Sequence, residues 1–167
     1  MVCWLLNYLG SVEYLEGKAT QAIEYFTECV QLNRQVKLKM FLWSASLRFG
    51  SVLLQQGCVV QAGELFEESL CTIKELKMVE GSSGLYYLLG LFGNAIVKGQ
   101  YEHAARLEGA IEVAEEKSRN YRSEFFHRVY DPQIATLRER LGETEFKALW
   151  AEGRELTLEQ AIELTHH

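Results

Sequence analysis

One pattern recurs along this chain at a fixed interval. Gly10, Gly17, Ala22, Phe26 and Cys29 return 40 positions later as Gly50, Gly57, Ala62, Phe66 and Ser69. A unit of this length, with apolar residues three and four apart inside it, is a helix–turn–helix brick. It cannot bury its apolar faces alone and must stack on neighbours. The repeat therefore predicts an all-α chain: an antiparallel helix-pair solenoid with a C-terminal helical cap. The expected units cover about 1–37, 38–80 and 81–118, with 119–167 as the cap, all in a single structural domain.

Apolar spacing places the elements. A first helix over 2–16 would bury Leu5, Leu6, Leu9, Val12 and Leu15, and Gly17 would end it in the left-handed region. A second, from about Ala19, would bury Ala22, Ile23, Phe26, Cys29 and Val30. The next pair starts near Leu38, turns at Gly57 and buries Ala62, Leu65, Phe66, Leu70 and Ile73. Residues 80–84 read as a connector. A third pair spans 85–98 and 101 to about 117, turning at Gly99, with Glu108 at the position held by Phe26 and Phe66. Glycine inside a helix costs about 1 kcal/mol against alanine. Gly10, Gly50, Gly90 and Gly93 therefore need a use, and close approach of a neighbouring helix supplies one. The expected repeat-packing set is Gly10, Ala22, Phe26, Gly50, Ala62, Phe66 and Ala104.

Beyond residue 118 the repeat stops. Asp131 and Pro132 read as a helix start, Gly142 as its stop, and 143–151 as a short helix followed by Gly153. Thr157 and Gln160 make a capping box for a last helix.

Bulk properties exclude several classes. The net charge is −6 and neither half is basic, so direct nucleic-acid contact is not expected. Lys117, Arg119, Arg122 and Arg128 read as a solvated helix face. The four cysteines, Cys3, Cys29, Cys58 and Cys71, have no metal-ligand spacing, which points to free thiols, no metal and a cytoplasmic setting. The most apolar run, 85–97, is too short to span a bilayer, so no membrane is expected. His103 and His127 have no nucleophile placed with them. His127 could bond Glu124 one turn back, and Glu67, Glu68, Glu115 and Glu116 read as solvated outer faces. No catalytic residue and no cofactor is expected; the chain does not read as an enzyme. His166 and His167 are either native or the remnant of a purification tag.

Helix pairs with small residues at the crossing points, an aromatic in the second helix and a turn glycine resemble tetratricopeptide repeats. The usual period there is 34; longer repeats like these are similar to those of large bacterial signal-transduction ATPases and the maltose-regulator type of transcription activator. Residues 99–110 (GQYEHAARLEGA), 141–154 (LGETEFKALWAEGR) and 156–161 (LTLEQA) resemble the last repeat and closing segment of such regulators. The resemblance implies a bacterial, non-enzymatic signal-transduction module, a fragment of a longer regulator. No phosphate-binding loop or basic recognition helix accompanies it. It also implies a binding face on the first helices. By register that face comprises Trp4, Asn7, Ser11, Tyr14, Ser44, Leu47, Ser51, Gln55, Tyr86 and Leu89, with Gly93 beside them, and it suits a protein, a peptide or a small effector. Two alternatives stay open: the groove is filled by the chain's own cap, or the chain is a stand-alone scaffold. Exposed repeat ends could also support a homodimer.

Overall fold

The computed structural model describes residues 2–79, 83–119 and 122–164, and every regular element among them is helical. In order these are α1 (Val2–Leu15), α2 (Ala19–Gln35), α3 (Lys39–Gln55), α4 (Val59–Glu75), α5 (Gly84–Val97), α6 (Tyr101–Ser118), α7 (Glu124–Leu141), α8 (Glu143–Arg154) and α9 (Leu158–Glu163). The helices pack as successive pairs, α1 with α2, α3 with α4 and α5 with α6, and each pair stacks on the next. This is an all-α solenoid. Most of the expected 80–84 connector, and His166 and His167, lie outside the described residues; Gly84 already belongs to α5.

The turns explain the period. Gly17, Gly57 and Gly99 adopt φ of +81°, +77° and +70°. The next residue's N–H then reaches back to the carbonyl five residues before it, as from Lys18 to Glu13 at 2.9 Å, so the helix end is satisfied. The second helices end in the same geometry without glycine: Lys37, Lys77 and Arg119 sit at φ of 53°, 53° and 52°. A left-handed non-glycine residue costs about 1–2 kcal/mol, and the stacking of successive pairs offsets it. These three positions keep the glycine intervals, so they mark where one unit ends and the next begins.

Within the stack the aromatics fill the glycine gaps. A Cβ on Gly10 would lie 3.0 Å from the Phe26 ring. Phe66 is wedged between two helices: a Cβ on Gly50 would come within 3.2 Å of its ring and one on Gly93 within 2.4 Å. Phe26, Phe66, Ala22, Ala62 and Ala104 are all fully buried. Of the apolar set expected in α1, only Leu6 is buried; Leu5 is 48% exposed and Leu9, Val12 and Leu15 are partly covered. Of their repeat equivalents on α3, Ala45 and Val52 are fully buried, while Phe49 and Gln55 are partly covered. The outer face of α1 thus presents a stacking surface that α3 and α5 have covered.

In the third pair the aromatic is replaced by an ion cluster. Glu108 is buried and takes two hydrogen bonds from the Arg122 guanidinium, at 2.8 and 3.0 Å. Arg122 also bonds Glu115 at 2.9 Å. Neither Arg122 nor Glu115 is a solvated face residue, contrary to the sequence expectation: both are under 10% exposed. Burial pushes the Glu108 carboxyl up to about 7, against the pull of Arg122. Arg122→Met leaves two buried carboxyls without their cation and is expected to cost about 3 kcal/mol near pH 8. A carboxyl whose folded pKa exceeds its unfolded value holds more protons when folded, so stability falls as pH rises between the two values. The loss should therefore shrink at pH 5. Urea unfolding at both pH values checks this, and an equal loss at each would contradict it.

The cap departs from expectation in two places. α7 begins at Glu124, and Asp131 and Pro132 lie inside it. Interior proline costs about 3 kcal/mol, but Phe125, Phe126, Val129 and Tyr130 before it and Leu137 after it are buried. Each is worth about 1.5–3 kcal/mol, so packing on both sides of Pro132 holds the helix together. Likewise α8 runs on to Arg154, with Gly153 buried inside it. The capping box at Thr157 and Gln160 is present, with bonds of 3.2 and 2.9 Å. α8 and α9 cover α6, so this end of the stack is closed and only the α1 end is open among the described residues. There Val2, Trp4, Leu5 and Tyr8 are 48–58% exposed.

Candidate functional site

The first helices α1, α3 and α5 share one side of the stack, and the N-terminal half of α7 lies against it. Apolar periodicity drives α7 there: Phe125, Phe126, Val129 and Tyr130 form one stripe. Phe125 meets Tyr14 at 5.6 Å and Phe26 at 6.1 Å between ring centres. Phe126 meets Tyr86 at 6.0 Å, and Tyr130 meets Phe92 edge-on at 5.2 Å. The Tyr130 hydroxyl donates to the Leu89 carbonyl at 3.1 Å and pairs with the Ser51 hydroxyl at 3.0 Å. The Gln55 side-chain amide donates to the Val129 carbonyl. Burial raises the Tyr130 hydroxyl well above the usual tyrosine value, so it stays a neutral donor.

The expected binding-face residues thus fall into three groups. Tyr14, Ser51, Gln55, Tyr86 and the Leu89 carbonyl are engaged by α7. The Leu47 and Leu89 side chains are fully buried and present no surface, and Gly93 is packed on Phe66. Trp4, Asn7, Ser11 and Ser44 remain around a pocket of about 550 Å³ at the open end of the groove. Its further lining includes Tyr8, Met40, Trp43, Arg48, Met78 and Phe125. The volume falls in the range of small-molecule sites, and the wall is mostly apolar with a few polar groups, as such sites are.

Three polar groups stand out in this lining. Asn7 donates to the Ser44 hydroxyl at 3.1 Å, but its Oδ1 is buried with no hydrogen-bond partner. The indole nitrogen of Trp43 is also buried and unpartnered. Arg48 lies over the rings of Phe125 and Phe126, 5.1 and 4.9 Å from their centres. Among the described residues no carboxylate comes within ion-pair distance of it, and burial lowers its pKa from the usual arginine value. Ring contacts of this kind are worth about 0.5–2 kcal/mol; taking a cation out of water costs several kcal/mol even after relaxation. Arg48 is only partly buried and none of its nitrogens is closed off without a partner, so the guanidinium still meets water from the pocket side.

Over 89 residues the chain is 32% identical to an HTH-type transcriptional regulator of Mycobacterium bovis, and to counterparts in two Mycobacterium tuberculosis strains, CDC 1551 and H37Rv; the names of all three are provisional. The match covers 53% of this chain and 10% of each relative. This chain therefore resembles part of a transcriptional regulator. No family model matches it, and no solved structure matches it either.

Other groups weighed in the sequence are placed as follows. His127 pairs with Asp131 at 3.3 Å, one turn onward, rather than with Glu124. Glu68 is partly buried and accepts from Ser46 at 2.6 Å and from Arg34 at 2.7 Å, so it is a packing residue rather than a solvated one. Cys29 is buried, its thiol donating to the Cys3 carbonyl at 3.1 Å, and burial pushes its pKa up to about 12. Among the described residues no cluster of histidine, cysteine or acid could hold a metal, and no helix is long and apolar enough to cross a membrane. Sequence reasoning missed Arg48. Its signal was present: it is the only charged residue between Lys39 and Glu64, in a run that otherwise builds core.

Proposed function

We propose that this chain is a non-enzymatic interaction and effector-sensing module of a bacterial transcriptional regulator, built on tetratricopeptide-like repeats. The observation that carries the reading is the kinship, over half the chain, with HTH-type transcriptional regulators. The fold supports it: helix-pair stacks offer extended surfaces for partners and seldom carry catalysis. In this reading α7 has taken over most of the first-helix face, and the remaining pocket around Asn7, Trp43 and Ser44 is where an effector or a partner side chain enters. Occupancy there bridges α1, α3 and the start of α7, so it biases how the stack sits against the rest of a regulator. A scaffold role is the second reading, favoured by the exposed apolar face of α1.

Transcript counting in the native host tests the proposal. Trp43→Ala combined with Ser44→Arg at the chromosomal locus should change a defined gene set about fivefold or more, the lower bound for allosteric coupling. Unchanged transcripts with the variant protein at normal abundance would contradict it and leave the scaffold reading.

A further inference from the structure

We infer that the pocket between α1, α3 and the start of α7 binds a small organic anion: a carboxylic acid with an apolar or aromatic body. The inference rests on the sensing role proposed above and names its ligand class.

Three features of the pocket lining bear on it, and Arg48 carries it. Arg48 is a partly buried guanidinium that lies over two aromatic rings and, among the described residues, makes no ion pair, Glu124 being the one carboxylate in the pocket lining. A planar fork of donors held by rings is pre-organised for a carboxylate, which it can take through two hydrogen bonds. The Trp43 indole nitrogen is a second donor without a partner, and Asn7 Oδ1 is an acceptor without one. A ligand carboxylate would satisfy Arg48; the Trp43 nitrogen and Asn7 Oδ1 are closed off from solvent in this structure and become available only if the lining shifts on binding. The rest of the wall, with Trp4, Tyr8 and Met40, suits an apolar body.

The charge balance agrees. Other buried or half-buried arginines here have carboxylates: Arg122 holds Glu108 and Glu115, and Arg154 holds Glu112 and Glu116. In a chain of net charge −6, leaving Arg48 alone is an exception. A larger cleft of about 760 Å³ between α5, α6 and α9 lacks this signature: its arginine, Arg154, is paired, and none of its lining residues has a buried polar atom without a partner. Volume alone would favour that cleft; the arginine without an ion pair favours the smaller one.

Isothermal calorimetry on the full chain tests this with matched probes: indole-3-acetate against indole-3-acetamide, and decanoate against decanamide. The acids should bind at least about tenfold more tightly than their amides, as a charged hydrogen bond predicts. Arg48→Met keeps the apolar stem and the ring contacts, so it should remain folded by circular dichroism. It should bring the acids down to the affinity of their amides; Arg48→Lys should retain part of the preference. Equal binding of acid and amide, an acid preference that survives Arg48→Met, or no binding by any probe to the folded chain would each overturn the inference. The outcomes separate from those of the transcript experiment. Acids that bind a chain whose pocket variant leaves transcription unchanged would sink the regulatory role alone; transcript changes without acid binding would sink the ligand class alone.

Discussion

Gly153→Ala should unseat α8 and lower global stability by about 5 kcal/mol or more, at the exceptional end for a single methyl group. A Cβ at this position would lie 1.9 Å from the Arg106 carbonyl oxygen and 2.6 Å from its carbon. The crossing is reciprocal, because a Cβ on Gly109 would lie 2.1 Å from the Trp150 carbonyl oxygen. In both cases the obstacle is helix backbone, which cannot swing aside as a side chain can. The helices would have to separate until that gap reached at least 3.0 Å, and a close-packed interface transmits such a shift along its whole length. Phe146 and Leu149, now buried, would lose their seats, and the pairs from Arg106 to Glu152 and from Arg154 to Glu116 would open. Helix propensity acts in the other direction, favouring alanine by about 1 kcal/mol, so the sign reports the crossing alone. Ala148→Gly, on the exposed face of α8, supplies the contrast and should cost about 1 kcal/mol. Urea unfolding followed by circular dichroism measures both. A Gly153→Ala protein as stable as the parent would show that α6 and α8 do not cross at these glycines.

Phe66→Ala should cost about 3–5 kcal/mol, the range for truncating a buried phenylalanine. The upper part of that range is expected because of what surrounds the ring. Gly50 and Gly93 abut it from two helices, and neither has a side chain that could relax into the space left behind. Collapse would require α3 and α5 to move as bodies, against Leu65, Leu70 and Leu47, which are themselves buried. Most of the void therefore stays, and a persistent void adds its own cost to the lost transfer energy. Phe26→Ala should cost less, since its ring packs on the side chains of Phe49 and Phe125 as well as on Gly10, and these can shift. A loss under about 1 kcal/mol at Phe66 would be in the range of surface changes and would show that the ring is not a wedge between pairs.

The stack was legible in the sequence because its rules are local and periodic. Glycine turns, the alanines of the second helices and the two phenylalanines recur at fixed intervals; the glycines adopt positive φ and the alanines and phenylalanines are buried. The pair-to-pair turns at Lys37 and Lys77 were not read from the sequence, because lysine carries no conformational signature; the second break was placed at 80–84 instead. What escaped depends on contacts distant in sequence. Nothing near Arg122 announces that Glu108, across a turn, will bury it. Pro132 signals a helix start locally, and only the burial of Phe125 to Tyr130 on a surface made by other helices overrides that signal. Gly153 looked like a stop because glycine serves both as terminator and as contact point, and the partner backbone at Arg106 decides between them. The candidate site shows the same division. Register located the first-helix face; which part stays open was set by α7, whose docking on Tyr14, Ser51 and Leu89 joins residues 41 to 111 positions apart.

The position of α7 in that groove is the claim on which both the pocket and its proposed ligand depend. Nuclear Overhauser contacts from selectively labelled Phe and Tyr rings test it directly. The structure predicts contacts from Phe125 to Tyr14 and from Tyr130 to Phe92, ring pairs whose centres lie 5.6 and 5.2 Å apart. Rings of Phe125 and Tyr130 that show contacts only to their own helix, with Ser51 and Gln55 open to solvent, would contradict it.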